Sequence, residues 1–213
     1  SSARALQSAD AVFWIGAGME SFLVKPLAAL TRNAAVVALG SNVPLLEGRE
    51  GGSWEAHDET GHAESGSGHD GDEQDGHGKD MHVWLDPVTA QAMVGVIVAT
   101  LQKSDPANGA AYAANGESLL HRLETLDAAL LAVLAPVKAI PYVVFHDAYQ
   151  YFENRYGMNA VGSLTISPDR SPGVKRLYAI RDKIRSSGAR CVFAEPQFAP
   201  ALVATVLEGT QAR

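Results

Sequence analysis

The sequence has little cysteine and no long hydrophobic run. Its 213 residues include a single cysteine, Cys191, which excludes a cysteine-rich zinc module and a disulfide within the chain. No apolar stretch approaches the roughly 18–20 residues that a membrane-spanning helix needs, so we expect no membrane span. The chain begins at Ser1 without a charged and then apolar leader, so we expect no signal peptide in it.

Basic charge is also scarce. The formal net charge is −7, and no stripe of lysine and arginine offers a surface for phosphate backbones, so nucleic-acid binding is not expected. The acidity belongs to residues 55–80, which hold nine acids and one lysine. With 46% apolar residues, the rest of the chain has enough material for a core.

Residues 55–80 differ from the rest of the chain in composition. They contain six glycines and four histidines, and Ala56 and Ala63 are their only apolar residues. Such a segment cannot bury enough apolar surface to offset the entropy of ordering, so we expect a mobile loop. Four imidazoles among nine carboxylates form a weak, multidentate trap for divalent cations. The candidate weak sites are His57, His62, His69 and His77.

Strands and helices alternate on both sides of this segment. Short apolar runs predict strands at 11–15, 35–39, 141–145, 160–164 and 190–194. Helical spacing predicts helices at 3–8, 20–30, 148–155, 173–186 and 201–207. This alternation is typical of an α/β fold with mostly parallel sheets. Cys191 lies within a predicted strand, as a small buried apolar residue.

Two longer helices are predicted between these regions. After a short extended run at 81–85, Asp86 and Pro87 suit the start of a helix over 87–103. Leucines at spacings of four, three, four and four predict a second helix of roughly 24 residues, which ends before Pro136. We therefore predict an N-terminal α/β lobe at 1–106, a linking helix at 107–136 and a C-terminal α/β lobe at 137–213.

Two histidines outside the acidic segment occupy positions suited to a ligand. His146 directly follows a predicted strand and precedes Asp147 and Gln150, a D-x-x-Q pattern typical of a helix cap. Open α/β sheets bind ligands at the carboxyl ends of their strands. His82 likewise stands just ahead of a capped helix. Two neutral imidazoles, one from each lobe, suit Zn²⁺, although histidines that only pack or cap remain an alternative.

The remaining candidates have simpler interpretations. His121 falls on the solvent face of the long helix, where we expect it to have no role. Glu195 follows the strand predicted at 190–194. A solvated turn carboxylate is the favoured interpretation of Glu195, and a metal ligand or a partner of one is the alternative.

Several ordered motifs then resemble one family over nearly the whole chain. They are AVFWIGAGMESFL at 11–23, MHVWLDP at 81–87, FHDAYQYFE at 145–153, and CVFAEPQF at 191–198 with EGT at 208–210. Together they are similar to the zinc-uptake solute-binding proteins of bacterial ABC transporters. The resemblance also covers a segment rich in histidine and acid directly before MHVWLDP.

That resemblance implies a fold and a function. It implies two α/β lobes joined by one long rigid helix, with Zn²⁺ captured in the cleft between them by His82 and His146. The protein would be a periplasmic monomer that delivers zinc to an ABC permease at the inner membrane, with no enzymatic activity. A histidine at 146 favours zinc over manganese. On the family pattern, further ligands would lie before Ser1 and beyond Arg213, so we expect weaker zinc binding by these 213 residues alone.

Two other functions remain open from the sequence. In a zinc hydrolase, His82 and His146 would hold the metal and Glu195 would act as general base, but the sequence contains no H-E-x-x-H motif. In a metal-buffering or adhesin-type surface protein, the histidine-rich segment would be the functional part.

Overall fold

The computed structural model describes residues 2–49, 78–165, 173–196 and 200–213. The chain divides into two compact units. The described part of the first comprises residues 2–48 and 78–132, and that of the second comprises residue 49 and the residues from 133 onward. Of the histidine-rich loop predicted at 55–80, residues 55–77 lie outside the described residues. The lobe boundaries predicted from the sequence stay predictions.

The first unit contains two small sheets. Strands β1 (Ala11–Trp14) and β2 (Ala35–Ala38) pair in parallel, with Ala11 opposite Ala35. Between them the predicted helix divides into a 3-10 turn at Ser21–Leu23 and α2 (Val24–Leu30), and α1 (Ser2–Gln7) precedes β1. Strands β3 (Leu46–Glu47) and β4 (Lys79–Asp80) pair antiparallel. This second sheet is not predicted from the sequence, because two-residue strands carry too little periodicity to be recognised.

Two long helices follow β4. The extended run predicted at 81–85 is wrong in part, since Val83–Leu85 form a 3-10 turn. Helix α3 (Pro87–Ser104) begins as predicted, because the carboxylate of Asp86 accepts a hydrogen bond of 2.8 Å from the backbone N–H of Val88. Helix α4 (Gly109–Leu134) has 26 residues, about 39 Å at 1.5 Å per residue.

Helices α3 and α4 approach each other closely at one glycine. Gly116 is the buried residue of α4, and a Cβ there would lie 2.5 Å from Cγ2 of Val98 on α3. The leucine spacing that predicted α4 is confirmed as helical, but Leu119 and Leu126 are exposed. His121 is exposed as well, with 81% of its side-chain surface accessible.

The second unit is built on a parallel sheet of three strands in the order β6-β5-β7. The chain passes through β5 (Tyr142–His146), α5 (Gln150–Tyr156), β6 (Ala160–Thr165), α6 (Val174–Ser187), β7 (Cys191–Phe193) and α7 (Pro200–Leu207). The central strand is buried from Tyr142 through Phe145, as expected for a parallel strand that is covered on both faces. Cys191, predicted to be buried, is half-buried.

The core of the second unit lies between this sheet and its helices. It includes Val143, Phe145, Leu164, Ile180, Ile184, Val192 and Val206. The predicted α/β class with mostly parallel sheets is confirmed. In the described part of the chain, no helix is both long and apolar enough to cross a membrane.

Candidate metal site

The position of His82 follows from the packing of the residue before it. Met81 is buried, and its Cε lies 3.4 Å from the Cβ that Gly16 would carry and 3.0 Å from that of Gly40. Gly16 follows β1 by two residues and Gly40 follows β2 by two. Met81 therefore packs at the carboxyl ends of the first sheet, where α/β folds place their ligands, and holds His82 beside that edge.

The imidazole of His82 is oriented by its own neighbours in sequence. Nδ1 of the ring lies 2.7 Å from Oδ1 of Asp80, and the same oxygen accepts the backbone N–H of His82 at 2.9 Å. The ring of Trp84 contacts the imidazole, with 5.4 Å between the ring centroids and 55° between the planes. Because Nδ1 bonds to a carboxylate, Nε2 is the nitrogen with which His82 would bind a metal ion.

His146 is the last residue of the central strand of the second sheet. It lies opposite Thr165 at the end of β6. Glu195 follows β7 by two residues, so its backbone reaches the same carboxyl edge. Glu195 is half-buried, and burial and then the charge of Glu195 and its hydrogen bond raise the pKa of Tyr149. Glu195 is therefore packed against the N-cap residue of α5, and its interpretation as a solvated carboxylate is wrong.

Arg49 binds two carboxylates next to His146. Its Nη1 donates to Oε2 of Glu153 at 2.7 Å, its Nε donates to Oδ2 of Asp147 at 3.3 Å, and its Nη2 donates to Oδ1 of Asp147. The side chains of Asp147 and Glu153 are only 6% and 4% exposed. Burial opposes the charge of Arg49, but the two carboxylates outweigh it and raise its pKa above the ordinary value.

The Arg49 cluster corrects the interpretation of the D-x-x-Q pattern. Tyr149 is the N-cap residue of α5, without a side-chain cap, and Asp147 pairs with Arg49 instead. The guanidinium of the half-buried Arg49 offers the carboxylate of Asp147 two directed hydrogen bonds, which a solvated cap cannot match. Arg49 and Glu153 are not predicted from the sequence, because a lone cation or carboxylate carries no signal of a partner distant along the chain. Asp80 is not predicted either, because the sequence alone does not show that its carboxylate contacts the ring of His82.

Tyr142 borders the same cluster, and its ionisation makes the free energy of unfolding depend on pH. Burial, and then the charge of Glu153, raise the pKa of Tyr142 far above its ordinary value, against the opposing effect of Arg49. Unfolded tyrosine ionises near pH 10, so above that pH the folded chain keeps a proton that the unfolded chain loses. The contribution of Tyr142 to the free energy of unfolding is complete below about pH 10. Above that pH it decreases, at a rate that approaches about 1.4 kcal/mol per pH unit.

This dependence is testable with one substitution. The Tyr142→Phe variant lacks the titrating group, so its free energy of unfolding should decline less steeply above about pH 10 than that of the wild type. The difference between the two proteins, from denaturant unfolding at about pH 9 to 11.5, should change by about 1.4 kcal/mol per pH unit at the alkaline end. If the difference in free energy of unfolding between the two proteins does not depend on pH, Tyr142 ionises alike in the folded and unfolded states.

The structure places the predicted ligands in separate units. His82 belongs to the first unit and His146 to the second. His57, His62, His69 and His77 lie outside the described residues. Within the residues that the structure describes, no three side chains of histidine, cysteine, aspartate or glutamate form a group that could hold a metal ion. Each unit instead presents one of the two imidazoles. Asp80 pairs with His82 itself, and Asp147, next to His146, pairs with Arg49.

Comparison with known proteins assigns a family. Residues 1–213 match a family model described as "Zinc-uptake complex component A periplasmic". The chain is 50% identical over 232 aligned positions to the "High-affinity zinc uptake system protein ZnuA" of Brucella abortus (strain 2308), with 100% of this chain and 70% of the relative covered.

Solved structures share the fold. A structure titled "Crystal structure of ZnuA" matches 99% of this chain and 72% of its own, with a TM-score of 0.78 and 23% identity. The laminin binding protein (Lmb) of Streptococcus agalactiae, described as bifunctional "with adhesin and metal transporting activity", matches 99% of this chain and 70% of its own, with a TM-score of 0.75 and 20% identity. At these identities the two likenesses establish the fold.

Proposed function

The chain belongs to the family of periplasmic zinc-uptake complex component A proteins, and from that premise we propose that it captures Zn²⁺ and delivers it to the permease of an ABC transporter. The observation that carries the proposal is the 50% identity to a high-affinity zinc uptake protein across the whole of this chain. Zinc is the cargo, which is bound and released without covalent chemistry. The protein acts in the periplasm, as a monomer.

His82 and His146 are the zinc ligands in this proposal. His146 supports this assignment because it ends β5, and parallel sheets bind ligands at the carboxyl ends of their strands. His82 supports it because it follows Met81, which packs near the carboxyl ends of β1 and β2. Neutral imidazole is a good ligand for zinc and a poorer ligand for harder ions such as manganese, which prefer oxygen ligands. Pairing of Asp147 with Arg49 supports this selectivity, because it keeps the carboxylate next to His146 engaged away from the metal.

The histidine-rich segment has a secondary role in the proposal. His57, His62, His69 and His77 are weaker sites that raise the local concentration of zinc around the protein. Because the segment gathers zinc without forming the tight site, its removal should leave the tight affinity close to that of the wild type.

Single histidine substitutions test the assignment. His82→Ala and His146→Ala should each weaken the tight zinc site at least about 100-fold, the upper end of the effect of groups that only support a ligand. His121→Ala is the matched control, since it also removes an imidazole but from an exposed position on α4. The measurement is competition titration against a zinc chelator, with a variant that lacks residues 55–77 in parallel.

The outcomes separate this function from the alternative. A tight site that survives the deletion and is lost in both substitutions supports a transport receptor. A tight site that is lost with residues 55–77 and unaffected by either substitution would contradict the proposal, since zinc would then be held by the histidine-rich segment.

A further inference from the structure

Asp80 occupies a fixed and enclosed position beside a proposed ligand. It is the last residue of β4 and lies opposite Leu46 in the antiparallel pair with β3. It is only 8% exposed. A carboxylate so far removed from water requires hydrogen-bond donors, since burial of an unpaired charge is costly. The pairing of β3 with β4 sets where that carboxylate lies.

Two donors to Asp80 come from His82. Oδ1 of Asp80 accepts the backbone N–H of His82 at 2.9 Å and lies 2.7 Å from Nδ1 of its ring. An ionised carboxylate can only accept hydrogen bonds, so the short contact with the ring requires a proton on Nδ1. In a neutral imidazole that carries this proton, Nε2 is the acceptor nitrogen.

We propose that Asp80 is a positioning residue, which holds His82 in the tautomer protonated at Nδ1 and so directs Nε2 to the zinc ion. This inference rests on the proposed function, in which His82 is a ligand. The backbone bond sets the path of the chain between Asp80 and His82, and the ring bond sets the rotation and the protonation of the imidazole. The contact of the ring with Trp84 restricts its rotation further.

The carboxylate also strengthens the bond to the metal. Negative charge next to Nδ1–H raises the electron density that the ring donates through Nε2. Groups of this kind behind a metal-bound histidine typically contribute about 10–100-fold to metal affinity. His82 thus supplies the ligand, and Asp80, two positions earlier in the sequence, supplies the group that orients it. Both residues lie within the first unit.

The tautomer can be measured without zinc. Long-range ¹H–¹⁵N correlation spectra of the zinc-free protein, recorded at a pH at which the spectra show a neutral imidazole, distinguish the two protonated nitrogens. His82 of the wild type should carry its proton on Nδ1, and the Asp80→Ala variant should lose this preference. A purely structural role of Asp80 in the turn would not set the protonation of the ring. A wild-type His82 protonated on Nε2 would overturn the inference.

Zinc affinity is the second readout. Asp80→Ala should weaken the tight site about 10–100-fold, and Asp80→Asn, which keeps an acceptor oxygen but not the charge, should weaken it less. Asp86→Asn is the matched control, because it removes a carboxylate four residues beyond His82 while asparagine still caps α3. An Asp80→Ala protein that binds zinc as the wild type does would contradict the inference.

The design keeps this inference separate from the proposed function. If His82→Ala weakens zinc binding and the Asp80 variants do not, Asp80 has no positioning role although His82 is a ligand. If His82→Ala binds zinc normally, the ligand assignment itself fails. Should Asp80→Ala not fold, the wild-type tautomer and the affinity of Asp80→Asn still decide the question.

Discussion

Replacement of Arg49 by glutamine is expected to lower the free energy of unfolding by about 3 kcal/mol. The substitution leaves the buried carboxylates of Asp147 and Glu153 without their shared cation, and loss of one partner of a buried ion pair typically costs about 3–5 kcal/mol. Arg49 is partly exposed, at 21% of its side-chain surface, which favours the lower end of that range. The measurement is urea unfolding followed by circular dichroism.

Two further variants give this prediction its controls. Arg122→Gln removes an arginine from an exposed position on α4 and should change stability by less than about 0.5 kcal/mol. Arg49→Lys retains the charge but not the planar fork that reaches both carboxylates, so it should recover only part of the loss. An Arg49→Gln protein as stable as the wild type would show that Asp147 and Glu153 do not depend on Arg49.

Replacement of Phe145 by alanine should cost about 3–5 kcal/mol of stability, because it opens a cavity in the core. Phe145 is 2% exposed and packs in the cluster that joins the sheet of the second unit to α6 and α7. It directly precedes His146, so the same cavity loosens the strand end that carries the proposed ligand. Thermal or denaturant unfolding measures the loss.

The matched control for Phe145 is another phenylalanine. Phe22 is 73% exposed, so Phe22→Ala removes the same ring with little loss of buried surface and should leave stability close to that of the wild type. A loss for Phe145→Ala no larger than that for Phe22→Ala would contradict the placement of Phe145 in the core.

Much of the fold could be predicted because buried parallel strands carry a strong signal in the sequence. The run PYVVF at 141–145 is apolar throughout, as a strand covered on both faces must be, and the structure gives β5 at Tyr142–His146. The pair β3 and β4 could not be predicted, because each has two residues and their pairing spans more than 30 positions of the chain.

His82 is predicted from the capped helix that follows it, and His146 from the strand that precedes it. The structure places His146 at the end of β5 and His82 directly after Met81, which packs near the ends of β1 and β2. Their role as zinc ligands stays a prediction. Their supporting groups were not found. Arg49 pairs with Asp147 across 98 positions, and nothing in a local pattern distinguishes an arginine in an ion pair from a solvated one. Asp80 lies two residues from His82, yet only the fold shows that its carboxylate contacts the ring.

Anomalous X-ray diffraction at the zinc edge would show directly whether His82 and His146 bind the metal. The experiment uses crystals of the protein grown with one equivalent of zinc. We expect one dominant zinc peak, about 2.0–2.1 Å from Nε2 of His82 and from a ring nitrogen of His146. Nδ1 of His82 should remain bonded to Asp80. A dominant peak that neither histidine contacts would show that His82 and His146 are not the zinc ligands.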